Sequence, residues 1–203
     1  MSSSKLVGRG GGLASVVAGI LLLLGHLLDQ GGDPEYGTVL GSSAVLTAHV
    51  VLVFALVAIY AAQAERVGVL GALGMILSVV GTTLASGTVL VEIAGASGVE
   101  VDAVTGAGLL GAISLLGGLA FLIGLVLLGI ATMRAGVFPR WAGALLIPGD
   151  AVYGAASFFS GTAASMVEVV GASITCAALV WLGLSLLSGV GSGASSGRDA
   201  RVS

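Results

Sequence analysis

Apolar residues in this chain come in runs of about 20, the length an α-helix needs to cross a hydrocarbon layer of about 30 Å. The runs are 12–29, 39–62, 68–94, 105–133, 141–160 and 164–187. Short polar segments separate them, and the charges there alternate. Residues 30–38 and 95–104 contribute Asp33, Glu35, Glu100 and Asp102 and no base, whereas 63–67 and 134–140 contribute Arg66, Arg134 and Arg140. Lys5 and Arg9 precede the first run, and Arg198 and Arg201 follow the last. Cytoplasmic loops retain Lys and Arg. The pattern therefore predicts an all-α polytopic membrane helix bundle of six transmembrane helices, with N and C termini cytoplasmic.

The domain plan follows from the same runs. Residues 1–11 read as a disordered cytoplasmic N-terminus, 12–187 as a single six-helix transmembrane domain, and 188–203 as a disordered cytoplasmic tail rich in Ser and Gly. The first run resembles a signal peptide in its flanking cations, but Leu27-Leu28-Asp29 offers no small-x-small cleavage site, so an uncleaved helix is expected. Each odd-numbered run is introduced by an Arg-x-Gly element (Arg9-Gly10-Gly11, Arg66-Val67-Gly68, Arg134-Ala135-Gly136), which reads either as a threefold hairpin repeat or as Arg at an inner helix start beside abundant Gly.

Composition supports lipid as the solvent. Charged residues make up 8% of the chain, against about 25% in soluble domains. Too few polar side chains remain to coat a soluble surface. The net charge of −3 and the absence of a dense basic patch exclude nucleic acid as a partner. The expected partners are the bilayer and either a second copy or another membrane protein. With Cys176 alone, neither an intramolecular disulfide nor a cysteine metal cluster can form.

Ionisable residues inside spans are functional candidates by default. Asp150 is the sharpest: it follows Pro148-Gly149 near the middle of the fifth run, where Pro removes a helical hydrogen bond and is expected to interrupt or kink the helix. A carboxylate at that depth either lines a site or locks helix packing. Tyr153 shares its face at i+3. Glu168 heads a small polar stripe with Gly171, Ala172 and Thr175, and otherwise reads as a carboxylate reaching the outer headgroups. Glu92 and His26 fall near the outer ends of their helices. His49 lies ten residues into the second, expected to bond Ser42, Tyr60 or a neighbouring helix. The candidate polar site is thus Asp150, His49, Glu168 and Tyr153. The histidines differ in depth and offer between them a single carboxylate at i+3 or i+4, Asp29 beside His26, so neither a metal nor a haem, nor any other cofactor, is expected.

Small residues at helical spacing mark packing ridges, because they let backbones approach in a bilayer. Gly71, Gly74, Ser78, Thr82 and Ser86 form one such ridge, with Ala120/Gly124 and Ser157/Gly161 as further pairs. Phosphate loops, dinucleotide fingerprints, zinc-protease motifs and nucleophile elbows are all missing, and the chain reads as a non-enzyme.

The segments Tyr60-Ala61-Ala62-Gln63-Ala64-Glu65-Arg66-Val67-Gly68 and Arg134-Ala135-Gly136-Val137-Phe138-Pro139-Arg140-Trp141-Ala142-Gly143 resemble a broad group of small multi-pass membrane proteins of actinobacteria and haloarchaea that carry a domain of unknown function. The resemblance implies a prokaryotic plasma membrane and carries no activity, cofactor or site residue. One Lys against six Arg agrees with a high-GC genome. The expected function is a non-catalytic structural, interaction or accessory membrane subunit. The alternatives are a small-solute or proton/cation transporter using the Pro148-Gly149-Asp150 segment, and a lipid- or pigment-binding membrane protein.

Overall fold

A computed structural model describes residues 3–33, 35–101 and 108–189, with side chains from Gly8 onward. The side chain of Lys5, together with Asp102, Arg198, Arg201 and the tail 190–203, lies outside the described residues. Among those described, the chain is helical throughout, apart from turns and a single bridge between Asp33 and Gly37. The helices are α1 (Ser3–Asp29), α2 (Val39–Ala96), α3 (Gly108–Ala135), α4 (Arg140–Ala155) and α5 (Thr162–Leu187), with a 3₁₀ turn at Ala156–Phe158. Four stretches are long and apolar enough to cross a membrane: Gly8–Asp29, α2, α3 and α5.

Several expected boundaries move. Residues 3–11 are helical and continue α1. The loop expected at 63–67 does not form, and α2 is one helical run of 58 residues. It nevertheless reverses at Gly68, whose φ of 55° and ψ of −154° are not helical. His49 and Thr82 are 33 residues apart and their side chains meet at 2.7 Å. A straight helix would hold them about 50 Å apart. The two arms of α2, 39–67 and 69–96, therefore fold back on each other, and the turn costs one residue instead of a loop.

The fifth expected span is also different. It is a 16-residue helix that ends at Ala155, with the 3₁₀ turn after it and Phe159 extended. Pro148 does not interrupt it: α4 stays helical through Pro148-Gly149-Asp150. What Pro148 does is withhold the N–H that would have bonded the Ala144 carbonyl.

The helices pack in a closed ring, and glycines allow the close approach at every seam except that between the two arms of α2, where His49 meets Thr82. Gly11 faces Ala58 between α1 and the first arm of α2, and Gly81 and Gly124 face Phe121 and Ser78 between the second arm and α3. Gly129 and Gly143 oppose each other between α3 and α4, and Gly171 lies against the Tyr153 backbone between α4 and α5. Gly12 and Gly183 close the ring from α1 to α5, beside a bond from Ser15 Oγ to the Leu179 carbonyl of 2.7 Å. Inside lies an apolar core of Leu52, Leu56, Ile59, Leu125, Leu128, Leu146, Leu179 and Leu182. Outside, Phe54, Val69, Leu109 and Leu115 are exposed, as suits a lipid-facing wall.

The described cations are segregated along the ring axis, with Glu65 beside them. The Gly68 turn, the 136–139 turn, the start of α1 and the end of α5 gather at one end, so Arg9, Arg66, Arg134 and Arg140 share it. Asp29, Asp33 and Glu168 lie at the other end, where Gln30 Nε2 donates to the Ser165 carbonyl at 3.3 Å and Gly95 packs on Tyr36. Two of the three Arg-x-Gly elements are simply turn signals: Gly68 and Gly136 both take positive φ. Gly11, the third, is inside α1 against Ala58, so the three elements do not do equivalent work.

Candidate functional site

Asp150 is built into the ring interior by its neighbours in sequence. Gly149 gives α4 its closest approach to α5, since a Cβ there would stand 2.6 Å from Thr175 Oγ1. The next side chain is thereby turned inward, and Asp150 is 2% exposed. Ten residues from the start of α4, it lies about 15 Å along the axis from that end.

Around it is a cavity of about 10 Å³ lined by Leu22, His49, Phe121, Asp150, Tyr153 and Thr175. That is about the space one water occupies. Four of the six lining residues carry polar groups, yet the surface they turn to the cavity is almost entirely apolar, so a water there would find few partners. Asp150 Oδ2 has no hydrogen-bond partner. Leaving a buried acceptor unpaired costs about 1–3 kcal/mol, more when it is charged. His49 is held from both sides: Nδ1 meets Thr82 Oγ1 at 2.7 Å, and its ring edge packs on Phe121 with centroids 5.8 Å apart. The bonding partner is thus the folded-back arm of α2, and not Ser42 or Tyr60.

Glu168 is not at the cavity. It sits closer to the acidic end, its side chain 39% exposed, with Oε2 4.0 Å from His26 Nδ1. His26 is buried, its Nε2 has no partner, and its ring stands edge-on to Tyr153 at 5.1 Å between centroids. Tyr153 therefore belongs to both groups: it lines the Asp150 cavity and touches His26. Glu92 and Asp29 lie close enough for their charges to act on Glu168.

Of the four residues expected to form a site, the structure brings Asp150, His49 and Tyr153 together and places Glu168 one step outward, through His26. Thr175 and Phe121 join them. Thr175 is legible in hindsight, because it shares the stripe of Glu168 and Gly171; nothing in the sequence marks Phe121. In the small-residue ridge, Gly74 approaches Leu128, Ser78 approaches Gly124, and Thr82 bonds His49. Gly71 instead meets Val67 of its own helix beside the Gly68 turn, and Ser86 donates to the Thr82 carbonyl within its own helix at 2.9 Å. Ser157 and Gly161 likewise serve the α4–α5 turn, not a helix contact.

Among the described residues no three His, Cys, Asp or Glu side chains are grouped to hold a metal ion. Compared with protein families, with curated proteins and with solved structures, the chain matches none.

Proposed function

We propose that this chain is an integral membrane protein of a prokaryotic plasma membrane that crosses the bilayer six times and binds a proton or small cation at Asp150, as a transporter does. The two arms of α2 supply two crossings, and α4 with its 3₁₀ turn supplies the short one. Segregation of the arginines supports cytoplasmic termini. The observation that carries the functional reading is Asp150 itself. A mid-depth carboxylate with an unpaired oxygen, beside a water-sized cavity shared with His49, Tyr153 and Thr175, is a costly feature that packing alone does not require. The cavity is too small for a lipid or pigment.

Purified protein in liposomes, loaded with a pH-sensitive dye or with Na⁺ or K⁺ indicators, tests this directly. Wild type should carry a cation down its gradient and Asp150→Asn should not. Wild-type flux equal to that of empty liposomes would sink the reading.

The second reading is a structural or accessory subunit without transport. The glycine seams favour it, since they bring most neighbouring helices into close contact around the ring. Under it Asp150 is a packing clamp, and its removal would weaken the fold.

A further inference from the structure

Asp150 lies between a polar part of the interior and one made mainly of leucine. Toward the acidic end come Tyr153, then His26, then Glu168, which is partly exposed. Toward the arginine end come Leu56, Leu125, Leu128, Leu146 and Leu182, each 0% exposed. Beside that layer the buried hydroxyls of Ser15 and Ser78 donate to the Leu179 and Gly74 carbonyls, and beyond it Gln63 and Thr132 bond each other at 2.8 Å.

Resting on the reading of Asp150 as the central site, the geometry points to a proton as the occupant, loaded from the acidic, outer end through Glu168, His26 and Tyr153, with the leucine layer closing the cytoplasmic side. The choice of a proton follows from the ligand count. A dehydrated metal cation takes about six oxygen ligands. The cavity has room for one water at most, and its surface is almost entirely apolar, which leaves a metal cation without a shell of oxygen ligands.

The chemistry of the relay balances without a co-reactant. Glu168 takes a proton from the outer solution and passes it to His26 at Nδ1. The imidazolium releases the proton on Nε2, which has no partner to hold it. The Tyr153 hydroxyl takes that proton while giving its own to the Asp150 carboxylate, which becomes the neutral acid; Glu168 ends as the carboxylate, and His26 ends with its proton on Nδ1 and resets by exchanging tautomers. The 4.0 Å between Glu168 and His26 suits a bridging water better than a direct bond. Other charges face this path from every side: Asp29 from α1, His49 and Glu92 from α2. Glu92 and Asp29 flank Glu168 and give the entrance a negative potential that concentrates protons.

The test uses wild-type protein reconstituted in one orientation, and follows the infrared carbonyl band of protonated Asp150, assigned by its loss in Asp150→Asn. Acidifying the outer-facing side should raise the band, and acidifying the other side should not. His26→Gln and Glu168→Gln should each slow the rise by about tenfold or more, as loss of a positioned proton donor does, while leaving the final amplitude unchanged. Glu168→Asp should recover part of the rate. Equal response from both sides, or variants as fast as wild type, would overturn the access route. Loss of the band on adding Na⁺ or K⁺ at fixed pH would overturn the proton as occupant and leave a cation site at Asp150. If wild type shows neither band nor flux, the function proposed above fails as well.

Discussion

Gly12 and Gly183 stand carbonyl to Cα across the seam that joins the first helix to the last: a Cβ on Gly183 would lie 2.6 Å from the Gly12 oxygen, and one on Gly12 would lie 2.8 Å from the Gly183 oxygen. These contacts are to backbone, which cannot rotate away. Alanine at either position should cost about 1–3 kcal/mol, the range for overpacking a tight site. Gly118, which has open space around it, is the control. Alanine there should be neutral or add up to about 1 kcal/mol through helix propensity. Thermal unfolding in detergent, followed by circular dichroism, separates these outcomes. Equal midpoints for Gly183→Ala and Gly118→Ala would contradict the closed ring.

Gly68 isolates a backbone effect. Its φ of 55° and ψ of −154° lie in a region that residues with a Cβ avoid, yet no atom stands within 4 Å of the position a Cβ would take. Gly68→Ala should therefore destabilise by about 1–3 kcal/mol through conformational strain alone. Protease digestion should then cut near residue 68 more readily than in wild type. An unchanged cutting rate and melting temperature would mean the arms do not need this turn.

These two sites also show how far the sequence could be read. Long apolar runs and the sidedness of arginine are strong signals, and they lead to an all-helical chain with membrane-length helices. The Gly68 turn is hidden because a one-residue reversal leaves almost no polar signature: Gln63 to Val67 look like a loop, while their backbone is helical. Pro148 suggests an interruption for a related reason, since its cost is local and the helix continues past it. Asp150, His49 and Tyr153 could be nominated because ionisable groups are rare in apolar helices. Their convergence could not, since it depends on which glycine meets which helix. His26 stays in the last turn of α1 as expected, and only its burial against Tyr153 depends on the same kind of tertiary contact.

Thr82 should matter more than a threonine in an apolar helix ordinarily does. Thr82→Val keeps the shape and removes the oxygen that meets His49 Nδ1 at 2.7 Å. The imidazole nitrogen is then buried without its partner, and the expected loss is about 1–3 kcal/mol. Thr83→Val is the comparison, because Thr83 Oγ1 bonds only the Val79 carbonyl of its own helix and is exposed. It should be nearly silent. Chemical denaturation in mixed detergent micelles measures both, and equal losses would remove His49–Thr82 as a specific clamp between the arms.

Orientation can be read from labelling. In a Cys176→Ser background, Ser97→Cys places a thiol at the end that carries Asp29 and Glu168, and Glu65→Cys places one beside the arginines; both positions are exposed. In intact cells a membrane-impermeant maleimide should label position 97 and spare position 65 until the membrane is opened. The reverse pattern would invert the topology, and with it the side from which Asp150 is loaded.

Asp150 distinguishes a site from a clamp by the sign of one change. A packing clamp contributes stability, so replacing it with an apolar side chain of similar size should weaken the fold. A functional carboxylate with an unpaired buried oxygen works against the fold, and the same replacement should strengthen it, as polar groups at active sites commonly trade stability for activity. Val is close to Asp in size and tolerates the helix, and the cavity of about 10 Å³ accepts the added methyl volume with little displacement. Asp150→Val should raise stability by about 1–3 kcal/mol while abolishing cation flux in liposomes. A drop in melting temperature with flux intact would assign Asp150 to packing. Stability gained and flux lost together are the outcome that only a site predicts, because nothing in a clamp would make its removal favourable.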